Sequence, residues 1–215
     1  MKIIKRWWVK LKVSVSFIKS KYNEKETIDH INKTSADFLH VDLMDGVFVP
    51  NKNYDFTEIK SFLKDNSKPL DIHFMYAHPK KDIELYSVLK PEFMTIHLEI
   101  DEDISDLIDY IHSFNIKCGL SINPGTDVRK LLPYLDKIDL VLIMSVTPGA
   151  GGQKFMESAI NKVDFLHNLH KNIIVSVDGG VNNETVKLIP NADMVVSGSY
   201  ICLSDNYEEK IASLK

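Results

Sequence analysis

Cysteine is scarce in this sequence, with two in 215 residues. Two cysteines cannot build the disulfide framework that holds small secreted domains together. Cys118 and Cys202 lie in or just after apolar, strand-like segments, where a free thiol is usually buried. The sequence therefore predicts free thiols in a reducing compartment, and we expect a cytoplasmic protein.

Strong charge of either sign is also lacking, because the formal net charge is only -4. No global basic field favours nucleic acid as a partner, and no apolar run is long enough for a signal peptide core or a membrane span. The stretch from Lys2 to Lys12 mixes basic and aromatic residues, as segments that bind membranes or nucleic acid do. It is more typical of a first strand with aromatic packing. We expect neither nucleic acid nor a membrane to be a partner.

The pattern of apolar residues predicts the fold class. With 44% hydrophobic and 26% charged residues, the chain suits one domain over residues 1–215. Segments with helical spacing separate the strand-like runs, and they include Val128 to Leu135 and Val186 to Ile189. Runs such as 140–144 are apolar on both faces, as in a parallel sheet covered by helices. Eight strand-like runs favour an α/β single (β/α)8 TIM barrel over an open doubly wound sheet; they lie near residues 9–16, 37–43, 70–76, 93–98, 116–122, 139–146, 173–178 and 193–198.

Polar residues that could bind a metal lie at the ends of three of these strands. His40 and Asp42 are two apart and share one strand face, and His73 and Asp178 end two other strands. A single inward histidine is more often a hydrogen-bonded core residue. Two imidazoles and two carboxylates together suit one divalent ion, namely zinc, iron, cobalt or manganese. Because two buried carboxylates are costly without a cation, the set predicts a metal site.

Glycine-rich segments follow the last three strands. Residues 145–155 place three glycines between a buried strand and a helix, so backbone N–H groups and the helix N-terminus can approach an oxyanion. Gly179-Gly180 and Ser197-Gly198-Ser199 end strands seven and eight, whose loops often form the phosphate site of barrels. Phosphate is the favoured ligand.

Other residues near the strand ends have a structural explanation as well as a functional one. Met44, Met75 and Met144 are individually typical gap fillers of a core, but as a group they could form a water-poor wall around developing negative charge. His97 and Glu99 could be a pair that orients a metal-bound residue. The Asn-Pro-Gly sequence at 123–125 could simply be a turn.

These motifs, in this order and spacing over nearly the whole chain, resemble the ribulose-phosphate 3-epimerase family; they are residues 40–51, 71–75, 144–155, 178–181 and 198–199. The resemblance implies a (β/α)8 barrel of the pentose phosphate pathway that interconverts D-ribulose 5-phosphate and D-xylulose 5-phosphate with a divalent metal. It implies metal ligands at His40, Asp42, His73 and Asp178, with Asp42 and Asp178 also catalytic as the two acid/base groups. It implies substrate contacts at Ser14, His73, Met44, Met75 and Met144, and a phosphate cradle at Gly151, Gly152, Gly180, Gly198 and Ser199.

The chain departs from the family pattern near these residues. Ser16-Phe17 replaces the usual Leu-Ser, and Ala150 stands where an aromatic residue is common in the glycine-rich loop. None of these departures falls on an expected metal ligand or acid/base residue.

The expected reaction is a two-base proton transfer at C3, because inversion requires acid/base groups on both faces of a planar intermediate. Two alternatives stay open. One is epimerisation of a six-carbon ketose phosphate such as allulose 6-phosphate, and another is a catalytically impaired barrel that only binds a sugar phosphate. A decarboxylase of similar architecture would be expected to carry a lysine beside the strand-two aspartate, and none is present. The expected partner is a small-molecule sugar phosphate, and we expect a homo-oligomer.

Overall fold

A computed structural model describes residues 10–169 and 171–215. The expected packing of the basic, aromatic N-terminal stretch therefore falls largely outside the described residues. Eight parallel strands form a closed barrel in sequence order, with β1 paired to both β2 and β8. The strands are β1 (Lys12–Ser16), β2 (Phe38–Met44), β3 (Leu70–Met75), β4 (Phe93–His97), β5 (Lys117–Ile122), β6 (Leu140–Met144), β7 (Ile174–Asp178) and β8 (Met194–Ser197).

Helices surround the barrel. They are α1 (Glu24–Asn32), α2 (Phe56–Phe62), α3 (Lys80–Ser87), α4 (Ile104–Ser113), α5 (Ser158–Asn168), α6 (Ser199–Cys202) and α7 (Tyr207–Ala212). Several helices have a side-chain N-cap. Asp55 and Glu58 form a reciprocal capping box at the N-terminus of α2, and Asp103 caps the N-terminus of α4. None of the helices in the described residues is long and apolar enough to cross a membrane.

Side chains along each strand point alternately out of and into the barrel, so the core has an outer and an inner part. Outward-facing residues such as Val13 and Val41 pack with the helices in the larger apolar cluster. Inside the barrel, one end is filled by a separate apolar cluster that includes Phe38, Phe93 and Leu140. The rings of Phe38 and Phe93 meet edge to face, with centroids 5.6 Å apart. Polar side chains also face inward at this level, since Ser14 pairs with Phe38 and Asp71 pairs with Phe93, and they extend from there to the ends of the strands.

Two of the expected helices are only short 3-10 helices. Val128–Leu131 follows β5 and Thr185–Leu188 follows β7, where longer helical segments were expected. Pro133 and Pro190 lie just beyond them. Proline cannot donate the backbone hydrogen bond that a longer α-helix would need, so the chain turns there instead.

Candidate metal and phosphate site

The four expected metal ligands lie together at the carboxyl ends of three strands. One ligand atom from each of His40, Asp42, His73 and Asp178 lies within 4.8 Å of the others. The β2–β3 register places Asp42 beside His73, and closure of the barrel brings Asp178 on β7 to the same place. Residues far apart in the sequence therefore form one cluster, and its two histidines are fully buried.

His40 is held by a carboxylate outside the cluster. Its Nδ1 lies 2.7 Å from Oδ2 of Asp71, which also accepts a hydrogen bond from the Ser14 hydroxyl at 2.9 Å. If the His40 imidazole is neutral, the hydrogen bond to Asp71 holds the imidazole proton on Nδ1, and Nε2 carries no proton. His40 Nε2 lies 3.2 Å from Asp42 Oδ1, but it makes no hydrogen bond of acceptable geometry within the described residues.

His73 is placed against both carboxylates. Its Nδ1 lies 3.3 Å from Asp42 Oδ1 and 4.0 Å from Asp178 Oδ2. Its Nε2 faces His97, at 2.9 Å between the two Nε2 atoms.

The environment separates the pKa values of the two aspartates. Burial favours the neutral form of Asp42, but its histidine contacts, chiefly the one with His40, outweigh burial and hold the pKa of that carboxyl well below its usual range. Burial, together with the charge of Asp42, raises the pKa of Asp178 to about 6. Burial lowers the pKa of His40, but Asp71 and Asp42 more than offset this, so the pKa lies well above its usual value. The two carboxyls therefore differ in how readily each binds a proton.

The residues fit a divalent cation. Two imidazole nitrogens and two carboxylates converge within ligand distance of one another, and His40 Nε2 is buried without a hydrogen-bond partner in the described chain. Imidazole and carboxylate together suit zinc, iron, cobalt or manganese. A cation would satisfy both the orphaned nitrogen and the paired negative charges.

A cleft of about 530 Å³, counting space open to solvent, lies directly above the cluster. Asp42 and Asp178 both line it, and so do the methionines Met44, Met75 and Met144. The methionines are almost fully buried, so they form the apolar wall of the cleft. The expected placement of the methionines beside the cluster is therefore observed.

The glycines of the expected phosphate cradle line the same cleft; they are Gly151, Gly152, Gly180 and Gly198, and Ser199 joins them. Gly180 has a φ of 64°, and a Cβ there would lie 2.5 Å from the Phe155 amide nitrogen, so only glycine fits. In the described chain, the amides of Gly152 and Gly180 donate to no protein acceptor. They are free to bind an anion.

Three residues near the cleft had no role in the sequence-based expectations. Ser16 lines the cleft and donates from its hydroxyl to Asp42 Oδ2 at 2.7 Å. Asp71 holds His40. Lys19, in the loop after β1, lies over the glycine-rich loop, because a Cβ on Gly152 would be 2.6 Å from its Nζ. Ser14 is fully buried beneath the cleft, with its hydroxyl on Asp71, and its contact with substrate stays a prediction.

Comparison with known proteins decides the family. The model of the ribulose-phosphate 3-epimerase family matches residues 12–202. The chain belongs to the ribulose-phosphate 3-epimerase family. It is 35% identical over 188 residues to the ribulose-phosphate 3-epimerase of Helicobacter pylori, covering 85% of this chain and 87% of that protein. It is 33% identical over 211 residues to the cytoplasmic isoform from rice, Oryza sativa subsp. japonica, covering 95% and 92%.

Solved structures show the same barrel fold at lower identity. KGPDC from Streptococcus mutans superposes with a TM-score of 0.69 at 17% identity, covering 95% of both chains. The 3-hexulose-6-phosphate synthase from Salmonella typhimurium gives a TM-score of 0.68 at 16% identity, covering 95% of this chain and 96% of that one. This epimerase-family chain therefore has the expected closed (β/α)8 barrel.

Proposed function

We propose that this protein interconverts D-ribulose 5-phosphate and D-xylulose 5-phosphate by proton transfer at C3. The observation that carries the proposal is the position of Asp42 and Asp178. Both belong to the four-residue ligand cluster and line one cleft, and their pKa values shift in opposite directions. Membership of the ribulose-phosphate 3-epimerase family supports this substrate.

In this mechanism the ionised aspartate removes the C3 proton and leaves a planar enediolate. The other aspartate, protonated, returns a proton to the opposite face, and the roles reverse for the reverse reaction. His40, Asp42, His73 and Asp178 would hold one divalent ion, which supplies Lewis-acid stabilisation of negative charge on the oxygens flanking C3. The buried methionine wall keeps water from the reacting carbon.

The phosphate group is proposed to lie against the glycine-rich loops. Gly152 and Gly180 line the cleft with backbone amides that have no acceptor in the described chain, and the Nζ of Lys19 lies over Gly152. Amide donors and a cation together suit a phosphate dianion. Holding the phosphate fixes where C3 lies relative to the two carboxyls.

A six-carbon ketose phosphate such as allulose 6-phosphate is the second candidate substrate. Ala150 lines the cleft at a position where an aromatic side chain is common in the ribulose-phosphate 3-epimerase family. The smaller side chain leaves room for one more carbon. The ratio of the two rates decides between the substrates.

The decisive experiment uses metal-depleted protein reconstituted separately with zinc, iron(II), cobalt and manganese. We expect at least one ion to restore epimerisation of ribulose 5-phosphate and exchange of the C3 proton with solvent deuterium. Tight sugar-phosphate binding with no C3 exchange under any ion would instead establish a binding barrel and end the proposal.

We further propose a cytoplasmic homo-oligomer built from one (β/α)8 domain. Both described cysteines are free and buried, as in proteins of reducing compartments. Exposed apolar side chains, including Val47 at 75% and Val88 at 63%, favour association between copies. Light scattering after size exclusion measures the oligomeric state, and a monomer at micromolar concentration would contradict this part.

A further inference from the structure

A chain of buried hydrogen bonds leads from the ligand cluster to a carboxylate that lies outside it. His73 Nε2 lies 2.9 Å from His97 Nε2, and His97 Nδ1 lies 3.1 Å from Glu99 Oε2. Both imidazoles are fully buried, and the ring of Phe48 packs against His97 with centroids 4.5 Å apart. Each buried ring nitrogen must therefore find its partner within this chain.

The far end of the chain is fixed by a backbone amide that can only donate and by a hydroxyl that shares the same acceptor. The Asn123 amide donates to Glu99 Oε1 at 2.8 Å, and the Thr126 hydroxyl donates to the same oxygen at 2.5 Å. These bonds anchor Glu99 as an ionised acceptor. The proton between Glu99 and His97 therefore belongs to His97 Nδ1.

The proton positions then follow along the chain. A neutral His97 with its proton on Nδ1 has a bare Nε2, which can only accept. The partner atom, His73 Nε2, must therefore be the donor. A neutral His73 protonated on Nε2 has a bare Nδ1, and that atom lies 3.3 Å from Asp42 Oδ1.

We propose that Glu99, acting through His97, fixes the His73 tautomer that presents a bare Nδ1 to the two aspartates, and thereby sets the affinity of the cluster for a divalent ion. His97 and Glu99 are positioning residues, since neither lines the cleft. The effect on affinity rests on the proposed function, because it requires the cluster to hold an ion. The tautomer itself does not.

The variant Glu99→Gln tests this arrangement with almost no change of shape. The introduced amide must keep its oxygen towards the Asn123 N–H, so its NH2 group faces His97 Nδ1. That donor forces the His97 proton onto Nε2, and His97 then donates to His73 Nε2. The His73 proton moves to Nδ1, where it points into the ligand cluster and blocks coordination.

The experiment uses the full chain labelled with 15N-histidine, depleted of metal, near pH 8. Correlation of ring nitrogens with ring carbon-bound protons identifies each tautomer. We expect protons on His73 Nε2 and His97 Nδ1 in the wild type, and the reverse pair in Glu99→Gln. Calorimetric titration with Zn2+ should show an affinity about 10- to 100-fold weaker in Glu99→Gln, the range typical for loss of a residue that orients a metal ligand.

The matched control is Glu102→Gln, which removes the carboxylate from the exposed pair of His78 and Glu102, 3.2 Å apart. It should leave both buried tautomers and the Zn2+ affinity unchanged, which separates the buried chain from a general loss of acidic charge.

Protonation of His73 Nδ1 in the metal-free wild type would overturn the inference, even if Glu99→Gln failed to fold. An unchanged His73 tautomer in a folded Glu99→Gln variant would overturn it as well. Neither measurement uses a sugar. If the Glu99→Gln tautomers invert but the wild type epimerises no sugar, the inference holds and the proposed function fails. If the wild type epimerises ribulose 5-phosphate but the tautomers do not change in Glu99→Gln, the proposed function holds and the inference fails.

Discussion

At the scale of single residues, Asp42 and Asp178 carry the same side chain in opposite surroundings. Asp42 contacts the His40 imidazole and the Ser16 hydroxyl, both of which favour its ionised form. Asp178 is buried beside that negative charge, which favours its neutral form. Two identical carboxyl groups therefore differ in proton affinity because of their surroundings alone.

The first prediction concerns this division. Asp178→Asn should keep the shape of the cleft but lose one proton-transfer group, so epimerisation should fall by about 10²- to 10⁴-fold. If metal content is retained, solvent deuterium should still enter C3 of the epimer whose proton faces Asp42. Mass spectrometry of both sugars, with metal analysis of the same sample, measures the outcome.

The mirror variant Asp42→Asn is the internal control, and it should show exchange with the other epimer. Near wild-type epimerisation by both variants, each carrying metal, would reduce these aspartates to ligands and remove the two-base mechanism.

The second prediction concerns Lys19. Because its Nζ lies over Gly152, Lys19→Met should weaken phosphate-bearing ligands about fivefold to tenfold at low salt, and less at high salt. Unphosphorylated analogues should be unaffected. Lys21→Met is the control, since Lys21 pairs with Asp205 at the surface instead. An equal loss of affinity for ligands with and without phosphate would show that Lys19 does not bind the phosphate.

Some of these residue positions were predictable from sequence, and others were not. Alternation along a strand places His40 with Asp42, and Ser14 with Ser16, on one face. It does not give depth along the barrel axis. The sequence therefore could not show that Ser16 borders the cleft while Ser14 lies beneath it, bonded to Asp71.

At the scale of elements, the glycine-rich loop between β6 and α5 is held by its own side chains. The Gln153 amide donates to the carbonyl oxygens of Thr147 and Ala150, at 2.7 and 2.8 Å. The Ser145 hydroxyl lies 2.8 Å from the carbonyl of Asp178 and 2.6 Å from that of Gly179, which ties this loop to the end of β7. The loop is therefore ordered before a ligand arrives.

The third prediction tests this order. Gln153→Ala removes both loop-spanning hydrogen bonds, so KM for the phosphorylated substrate should rise about fivefold while kcat changes little, the equivalent of about 1 kcal/mol. Hydrogen exchange in residues 147–153 should quicken. Asn183→Ala deletes a similar exposed amide, which contacts Glu184, and should change neither quantity. A fall in kcat without a change in KM would contradict the loop-ordering role.

The strands were more predictable than the helices for a physical reason. Each expected strand corresponds to an observed strand, because a buried parallel strand needs a short apolar run that few other elements share. Apolar spacing at Val128, Leu131 and Leu135 was equally regular, yet Leu131 and Leu135 are buried by a 3-10 helix and turns. Helical spacing alone does not reveal where a proline stops the helix.

At the scale of the whole molecule, the ligand cluster joins strands on both sides of the barrel closure. His40, Asp42 and His73 come from β2 and β3, and Asp178 comes from β7. An ion bound only by the folded chain stabilises it by mass action.

The fourth prediction follows from this arrangement. Zn2+ or Mn2+ at about one hundred times its dissociation constant should stabilise the metal-depleted protein by about 2.7 kcal/mol, or raise its Tm by roughly 5 to 10 °C for a chain of this size. Differential scanning calorimetry measures the shift. Ca2+, which prefers oxygen ligands, should give little or none.

His73→Ala provides the complementary control, because it removes one ligand and should abolish the Zn2+ shift. An equal shift in that variant would place the stabilising ion elsewhere on the protein.

The hydrogen bonds between β1 and β8 can form only after β8 has been synthesised. Ser14 on β1 pairs with Val196 on β8, so β1 is synthesised before the strand that covers its second edge. During translation that edge is an exposed row of backbone donors and acceptors, open to pairing with another nascent chain. Ser14 and Ser16 interrupt its apolar character, so the same serines that serve the finished site also make the waiting strand less prone to aggregate.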